Sequence, residues 1–523
     1  MIEQASLVLG NGNWAVKSDS LLGYKTIDGK YYPREMTFTR ATTGTRVNEA
    51  GLVELVPYNL LLNTNTFSSW NLEGGTLTSG FTAPDGSSTA YKYVPSSGGL
   101  WAVLNLPVMS AGTGATQSIW VKSVSGSNVT FKLGSGYSTQ GISNKTATSQ
   151  WQLFTNSFAF SDGGSMYIDT ISDAQGIYVW HPQLVEGTEP LDYLPTTDRL
   201  DIARIDYSTG SPSLLLEPQR TNLCTYSQDF SNAAWNTSSD SGCSLTITPN
   251  YTTASNGLPA ARLVASRTNT STLAILVNYT PNTGINATKS LWMKNNNSGN
   301  VTIMFGDEAV TITDTWERYS VTNTYFYSIV GLRYSGVALN CDISITGSQF
   351  EVGAYPTSYI PTTSASVTRN ADQCVKTGAS AFIGQTEGTI FLNMNNLAID
   401  SDWLTLNPIS GSPYTNSIGI GYYATAVRLQ IYSPSGTAFG TIASISGNNK
   451  IALGYKSGDI AMYINGVNVF SSSNAFSFNV LLDSITVASQ SWLAGSIAAN
   501  KIYSHSLYTT RLTNSELAQL TTP

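Results

Sequence analysis

Charge is what this sequence has least of. Of its 523 residues only 11% are Asp, Glu, Lys or Arg, about half the usual share of a globular chain. The net charge is −7 and there is no strongly basic run, so no cationic footprint for a phosphate backbone is expected and nucleic acid is not an expected partner. No apolar run approaches the roughly 18 residues of a membrane span, so no membrane insertion is expected. Met1-Ile2-Glu3-Gln4-Ala5 has neither the basic region nor the apolar core of a secretion signal.

Groups that carry chemistry are equally sparse. His181 and His505 are the two histidines, and they fall in different parts of the chain. Cys224, Cys243, Cys341 and Cys374 lack metal-site spacing. Cys224 and Cys243 can lie close together, but a chain made in the cytosol keeps such residues as free thiols. No dense acidic loop suggests Ca²⁺, so neither a metal nor a cofactor is expected. Asp400 and Asp402 flank an expected turn, which they would cap. Gly419-Ile420-Gly421 with Ala424 imitates a dinucleotide loop. It lies among β-branched and aromatic residues with no helix after it, which suits a closely packed strand.

What is abundant is Ser, Thr, Asn and Gly, with 28 Tyr and 11 Trp in a chain that is 41% hydrophobic. That content excludes wholesale disorder and suits a neutral, hydroxyl- and amide-rich surface. One phrase is written twice. Gln183-Leu184-Val185-Glu186-Gly187 continues through Pro190 and Tyr193 to Pro195-Thr196-Thr197, and Gln349-Phe350-Glu351-Val352-Gly353 continues through Pro356 and Tyr359 to Pro361-Thr362-Thr363. The offset is constant (349 − 183 = 166), which marks two copies of one folded unit. Asn59-Leu60 with Phe67 and Trp70 matches Asn222-Leu223 with Phe230 and Trp235, and Ser118–Lys122 matches Ser290–Lys294. Offsets from 222 − 59 = 163 to 290 − 118 = 172 mean conserved strands and variable loops.

Segments such as 118–123, 128–133, 151–160 and 176–185 are short, rich in β-branched and aromatic residues, and bounded by turn residues. The expected fold class is therefore all-β, two tandem sandwiches followed by a different β unit. The expected divisions are an N-terminal segment 1–50, modules at 51–200 and 201–375, and a C-terminal domain 376–523. Asn465-Gly466 predicts a two-residue hairpin, and Thr513-Asn514-Ser515-Glu516 predicts a capping box opening the one clear helix.

Three resemblances follow from these residues. Asn-Leu with Phe and Trp, the Trp-Val-Lys strand at 120–122 and the repeated closer together resemble the jelly-roll modules of tailed-phage structural proteins, which are similar to carbohydrate-binding modules. Arg40-Ala-Thr-Thr-Gly-Thr-Arg46, running on to Leu52, and Arg204-Ile205-Asp206-Tyr207, continuing through Pro212 to Leu223, look like phrases of the same proteins. Residues 378–520 resemble concanavalin A-like (laminin G-type) lectin domains through Tyr463–Gly466 and through Ile502–Leu520. The closely spaced acidic motif of the related glucanases is missing.

The resemblance implies a non-enzymatic virion protein, a head or tail fibre or spike made and assembled in a bacterial cytoplasm. It implies docking to other virion proteins through residues 1–50, with Arg34, Arg40 and Arg46 as candidate contacts. It also implies a homotrimer and attachment to host-surface glycan. Aromatic residues without a partner in the other copy are the glycan-binding candidates: Trp101, Tyr137, Tyr414, Tyr422 and Tyr423. Those with partners (Trp120 and Trp292, Trp151 and Trp316, Tyr193 and Tyr359) are expected as core or closing contacts. The competing readings are a purely architectural protein and a polysaccharide-acting enzyme with accessory modules.

Overall fold

Alternation decides how each strand sits. In Gly114–Ser123, Ile119 and Val121 are fully buried while Trp120 and Lys122 between them are half-buried, because successive side chains of a strand point to opposite faces. The same alternation recurs through the chain in a computed structural model. It describes residues 2–523 except 18, 73, 97–99, 104–113, 136–139, 160–164, 170, 198–199, 279–285, 324–327, 334–335, 397–400, 410–414, 424–425, 443–444, 446 and 488–499.

The chain is all-β, two tandem jelly-roll sandwiches followed by a concanavalin A-like sandwich, and it divides into two compact units. The smaller unit, Lys17–Asp19 with Pro57–Ile202, is the first jelly roll. One sheet runs Thr76–Phe81, Ala90–Val94, Ile177–Glu186, Gly114–Ser123, Gln152–Ala159, and the other Gln140–Ala147, Val129–Ser135, Ser165–Asp169, Leu100–Val103, Asn71–Leu72. Ile119, Val121, Phe131, Leu133, Ile168 and Val179 fill the space between them.

The larger unit, Met1–Val16, Ser20–Val56 and Ala203–Pro523, holds the second jelly roll. Its sheet Ser244–Thr253, Pro259–Ser266, Asn340–Val352, Ala287–Asn295, Glu317–Asn323 has the strand order of its counterpart in the first. The repeated phrase thus corresponds to a repeated topology. The larger unit also holds the third sandwich, where the chain does something the segmentation at residue 50 misses. Leu7–Gly10 pairs with the strand Asn500–Tyr508, placing Val8 opposite Ser506 and Leu9 opposite His505. Met36–Thr39 pairs with Gln373–Thr377 in the facing sheet. Strands between residues 7 and 39 are therefore part of the C-terminal sandwich, while Thr45–Val47 pairs with Val53–Leu55 in a small sheet of its own. Leu7, Leu9, Met36 and Phe38 share one core with Ile390, Leu392, Trp403 and Leu507. The hairpin at Asn465-Gly466 is present, with φ of 49° and 83°, and Thr513 and Glu516 cap the helix Asn514–Thr521 reciprocally.

The repeated phrase turns out to be a latch. Asn222 Nδ2 donates to the carbonyls of Ser348 (3.1 Å) and Ile360 (2.8 Å), while its Oδ1 accepts from the amides of Cys224 and Phe350, both at 3.0 Å. Asn59 makes the corresponding four bonds to Pro182, Leu194, Leu61 and Leu184. Gln183 and Gln349 accept from the amides of Leu194 and Ile360. The Tyr193 hydroxyl donates to Thr64, and that of Tyr359 shares a hydrogen bond with Ser227. A carboxamide has two donors and two acceptor sites, so one buried Asn satisfies four backbone groups that no ladder reaches. The expectation that Tyr193 and Tyr359 are closing contacts is met.

The larger unit is tied together by buried charge. Arg40, Arg204, Arg369, Glu217 and Asp372 are all at most 3% exposed. Asp372 pairs with Arg40 (2.6 Å) and with Arg204, and Glu217 pairs with Arg204 (2.7 Å) and Arg369 (3.0 Å). Ser358 donates its hydroxyl and its amide to Glu217 at 2.6 and 2.7 Å. Gly44 lies against the Arg204 side chain, where an added Cβ would come within 3.1 Å of Cδ. Burial pushes the Glu217 carboxyl up, but Arg369, Arg204 and the Ser358 bonds outweigh it and hold it well below the usual carboxylate range.

Arg40 is fully enclosed, so its placement as an exposed docking contact is corrected: desolvating a guanidinium requires paired carboxylate, and that partner is Asp372. Arg46 is half-buried and pairs with Glu54 at 2.9 Å; Arg34 lies 5.3 Å over the Phe382 ring. Removing one member of a buried pair strands the others. Asp372→Ala is expected to cost about 3–5 kcal/mol in urea denaturation. Asp342→Ala, which breaks the more exposed Arg262 pair, should cost about 1 kcal/mol or less. Equal costs would contradict this account of the cluster.

Candidate functional site

The face of the first jelly-roll sheet turned away from the core is paved with aromatic rings. Strand register makes the row: Trp120 lies opposite Trp180 on one side and Leu153 on the other, Lys122 opposite Tyr178, and Tyr178 opposite Lys92. Phe81 and Ala90 continue it on the outer strands. Ring centroids of Trp120 and Trp180 are 6.4 Å apart, Phe81 and Tyr178 5.0 Å, and Trp151 and Tyr178 6.3 Å. Trp120, Trp151, Tyr178 and Phe81 are half-buried, and Leu153 is 46% exposed. The Trp180 indole N–H donates to Thr89 at 2.9 Å, which fixes its plane. Lys122 Nζ sits 5.9 Å from the Tyr178 centroid.

His181 extends this row. A register shift between Ser118 and Trp120 leaves it at φ 51°, and its ring lies between Trp180 (3.3 Å, 17°) and Tyr193 (3.6 Å, 13°). Burial lowers its pKa to about 4, and the Asp85 charge offsets only part of that. The neutral imidazole is a flat surface among other flat surfaces. Such rings can stack on the apolar face of a pyranose, while the two lysines at the row can meet its hydroxyls.

The second jelly roll shows how the same face is put out of use. Trp292 occupies the place of Trp120, but Arg318 stands opposite it where the first copy has Leu153. The Arg318 guanidinium lies 4.5 Å over the indole, donating to the Thr357 carbonyl at 2.6 Å and to Ser290 Oγ at 2.8 Å. Ser344 and Thr346 fill the sheet positions of Tyr178 and Trp180. Gly347 replaces His181 at φ 64°, where an added Cβ would meet the Trp292 ring at 2.8 Å.

The expectation that Trp120 and Trp151 are core residues is thus corrected. They stand on the outer face, out of phase with Ile119, Val121 and Phe154, and the sequence carried that signal in the alternation Ile119-Trp120-Val121-Lys122. Of the candidates without a partner, Tyr422 is corrected for the opposite reason. It is 4% exposed and stacks on the fully buried Trp403 at 6.0 Å, inside the third sandwich. Trp101 lies in the strand Leu100–Val103 and Tyr423 in Ser417–Tyr423; their side chains, like Tyr137 and Tyr414 entirely, are outside the described residues. Gly419 and Gly421 are strand residues as expected, and Asp402 lies within the strand Ser401–Asn407 rather than at a turn. Asp400 is outside the described residues.

Among the described residues no group of three or more His, Cys, Asp or Glu side chains stands together, and no helix is long and apolar enough to cross a membrane. All four cysteines are free thiols, and burial pushes Cys224, Cys341 and Cys374 up to about 12.

The arrangement is that of a modular β-sandwich protein with an aromatic outer face on its first jelly roll. No protein-family model matches the chain and no curated protein matches it. Among solved structures it is similar to the CBM40 of the Ruminococcus gnavus IT-sialidase bound to α2,3-sialyllactose, at 15% identity over 27% of this chain and 84% of that one, with a TM-score of 0.24. It is similar to the tandem CBM22 domains of Paenibacillus barcinonensis Xyn10C, at 12% identity over 64% and 97%, TM-score 0.21. Domains LG4-5 of the mouse laminin α1 chain give 10% identity over 53% and 92%, TM-score 0.19. Scores this low carry no argument about function.

His505 is the other histidine, and it lies in the core of the third sandwich. It is fully buried opposite Leu9 and Leu392, and neither ring nitrogen has a hydrogen-bond partner. Burial lowers its pKa from 6.5 to about 4. The unfolded chain therefore binds a proton that the folded one refuses, and stability falls as pH drops from about 6.5 to about 4. The span corresponds to roughly 3 kcal/mol. In thermal melts across this range, His505→Leu should flatten the decline relative to the parent; an unchanged slope would remove His505 as its source.

Proposed function

We propose that the chain is a non-enzymatic structural protein of a tailed-phage virion, a head or tail fibre or spike that attaches to host-surface glycan. The observation that carries the binding part is the aromatic face of the first jelly roll. Trp180 is buried against Ala83 and Ala90, and around it Trp120, Trp151, Tyr178 and Phe81 stay half-buried on the solvent side of the sheet, where the second copy has Ser344 and Thr346 in place of Tyr178 and Trp180. The virion part is supported by the phrases at 40–52 and 204–223 that resemble phage structural proteins. Those phrases contain Arg40, Arg204 and Glu217, the residues that hold the larger unit together.

Binding of one sugar to such a face is weak, and many copies on a particle convert it into firm adsorption. Two measurements test the two parts. Antibody raised against residues 378–520 should label intact particles of the encoding phage in electron micrographs, and particles without label or protein would end the virion reading. The purified full chain should bind host cells or their isolated polysaccharide, and Trp120→Ala with Trp151→Ala should weaken that binding at least about tenfold. Undiminished binding would dismiss the aromatic face. Incorporation into particles without any binding would favour a purely architectural role, and release of reducing sugar would favour an enzyme.

A further inference from the structure

Asparagine is among the residues least suited to a β-strand, yet six stand at one end of three adjacent strands of the third sandwich. Asn393, Asn395 and Asn396 close Glu387–Asn396, Asn448 and Asn449 open Gly447–Lys456, and Asn500 opens Asn500–Tyr508. Register brings them side by side: Asn395 lies opposite Asn448, and Asn396 opposite Asn500. The inward-facing members have structural work. Asn449 is 5% exposed and bonds to the Gly447 carbonyl and to Asn465 of the hairpin. The outward-facing ones are more open: Asn395 bonds to Asn448, whose own nitrogen stays exposed. Asn393 alternates with the core residues Leu392 and Met394, and Asn448 is exposed.

These outward amides line a groove of about 580 Å³, a size typical of small-molecule sites. Tyr503 lines it, its hydroxyl donating to Asn448 Oδ1 (3.3 Å) and lying 3.0 Å from the Thr209 hydroxyl, which can donate to it, and Asn395 donates to the same Asn448 oxygen at 2.8 Å. These bonds orient the Asn448 carboxamide and leave its nitrogen, together with the Asn393 amide, for a ligand. No Asp or Glu side chain is among the lining residues, and the one charged side chain there, Lys450, donates to the Thr522 carbonyl at 2.7 Å and keeps its positive charge. A groove made mostly of amides and hydroxyls, with one lysine and no acidic side chain, matches a ligand dense in hydroxyls, and a metal cation would find no carboxylate side chain there.

We infer that this groove is a second glycan site, taking a neutral oligosaccharide edge-on through Asn393, Asn448 and Tyr503. The inference rests on reading the chain as a glycan-binding protein, but on none of the residues of the aromatic face. The test probes an array of neutral tri- to hexasaccharides of hexoses, 6-deoxyhexoses and N-acetylhexosamines with the full chain and two variants. Asn393→Ala with Asn448→Ala should lower the affinity for at least one glycan about tenfold or more. Trp120→Ala with Trp151→Ala should leave that glycan bound.

The isosteric Asn448→Asp, with an unchanged melting temperature, should reproduce the loss and exclude unfolding as its cause. Signals that survive the asparagine variants, or that vanish with the tryptophan pair alone, would overturn the groove and leave the aromatic face standing. Signals lost only with the asparagines would do the reverse, and an array without any bound glycan would overturn both.

Discussion

Five buried ionic side chains hold the larger unit to a single arrangement. Arg40 comes from the N-terminal segment, Arg204 and Glu217 from the stretch that leads into the second jelly roll, and Arg369 and Asp372 from the stretch that leaves it. None of these charges can be desolvated without the others, because a buried ion pair is tolerable only when each member is fully partnered. The cluster does not add much stability over an apolar core of equal volume. What it supplies is selection: a register in which any one segment is displaced leaves an unpaired charge in a low-dielectric interior. For a sandwich whose strands come from residues 7–10, 36–39 and 500–508, that selection matters. Neighbouring strands are separated by most of the chain, and local preference cannot choose among alternative pairings.

The two jelly rolls start from one plan and diverge where it costs least. Their cores and latches are equivalent, with Asn59 and Asn222 satisfying the same four backbone groups. The outer face of the sheet is free to change because it contributes little to the core. In the first copy it carries Tyr178, Trp180 and His181; in the second, Ser344, Thr346 and Gly347. A single exchange, Leu153 for Arg318, decides whether the shared tryptophan is open or covered. The two copies thus differ in one being left with its tryptophan uncovered and the other with it covered by an arginine of its own chain.

Much of this was legible in the residues. The repeat, the all-β class, the Asn465-Gly466 hairpin and the Thr513 capping box are local or periodic signals, and local signals survive translation into structure. Arg40 and the N-terminal strands were not legible, because their partners lie hundreds of residues away and nothing in a single sequence couples Arg40 to Asp372. Trp120 and Tyr422 were misread for a different reason. Recurrence in both copies suggests core or closing contacts, and its absence suggests surface. Recurrence reports common descent, whereas phase within the strand reports which face a side chain occupies. Trp120 is out of phase with Ile119 and Val121, and that was the stronger signal.

The distribution of charge also limits how this protein can recognise anything. A chain with 11% charged residues has a thin supply of charge for long-range fields. Electrostatic steering requires a large excess of one sign over a surface, and the aromatic row carries only Lys92 and Lys122 and the amide groove only Lys450 as charged side chains. Contact must then be made at short range, by stacking of rings and by carboxamides that present donor and acceptor together. Such contacts are directional and individually weak, so strength has to come from rigidity and from number. The latches, the buried ion cluster and the closely packed sheets provide the rigidity. The abundance of Asn, Ser and Thr, which at first looks like mere solubility, is the polar chemistry that predominates where charge is sparse.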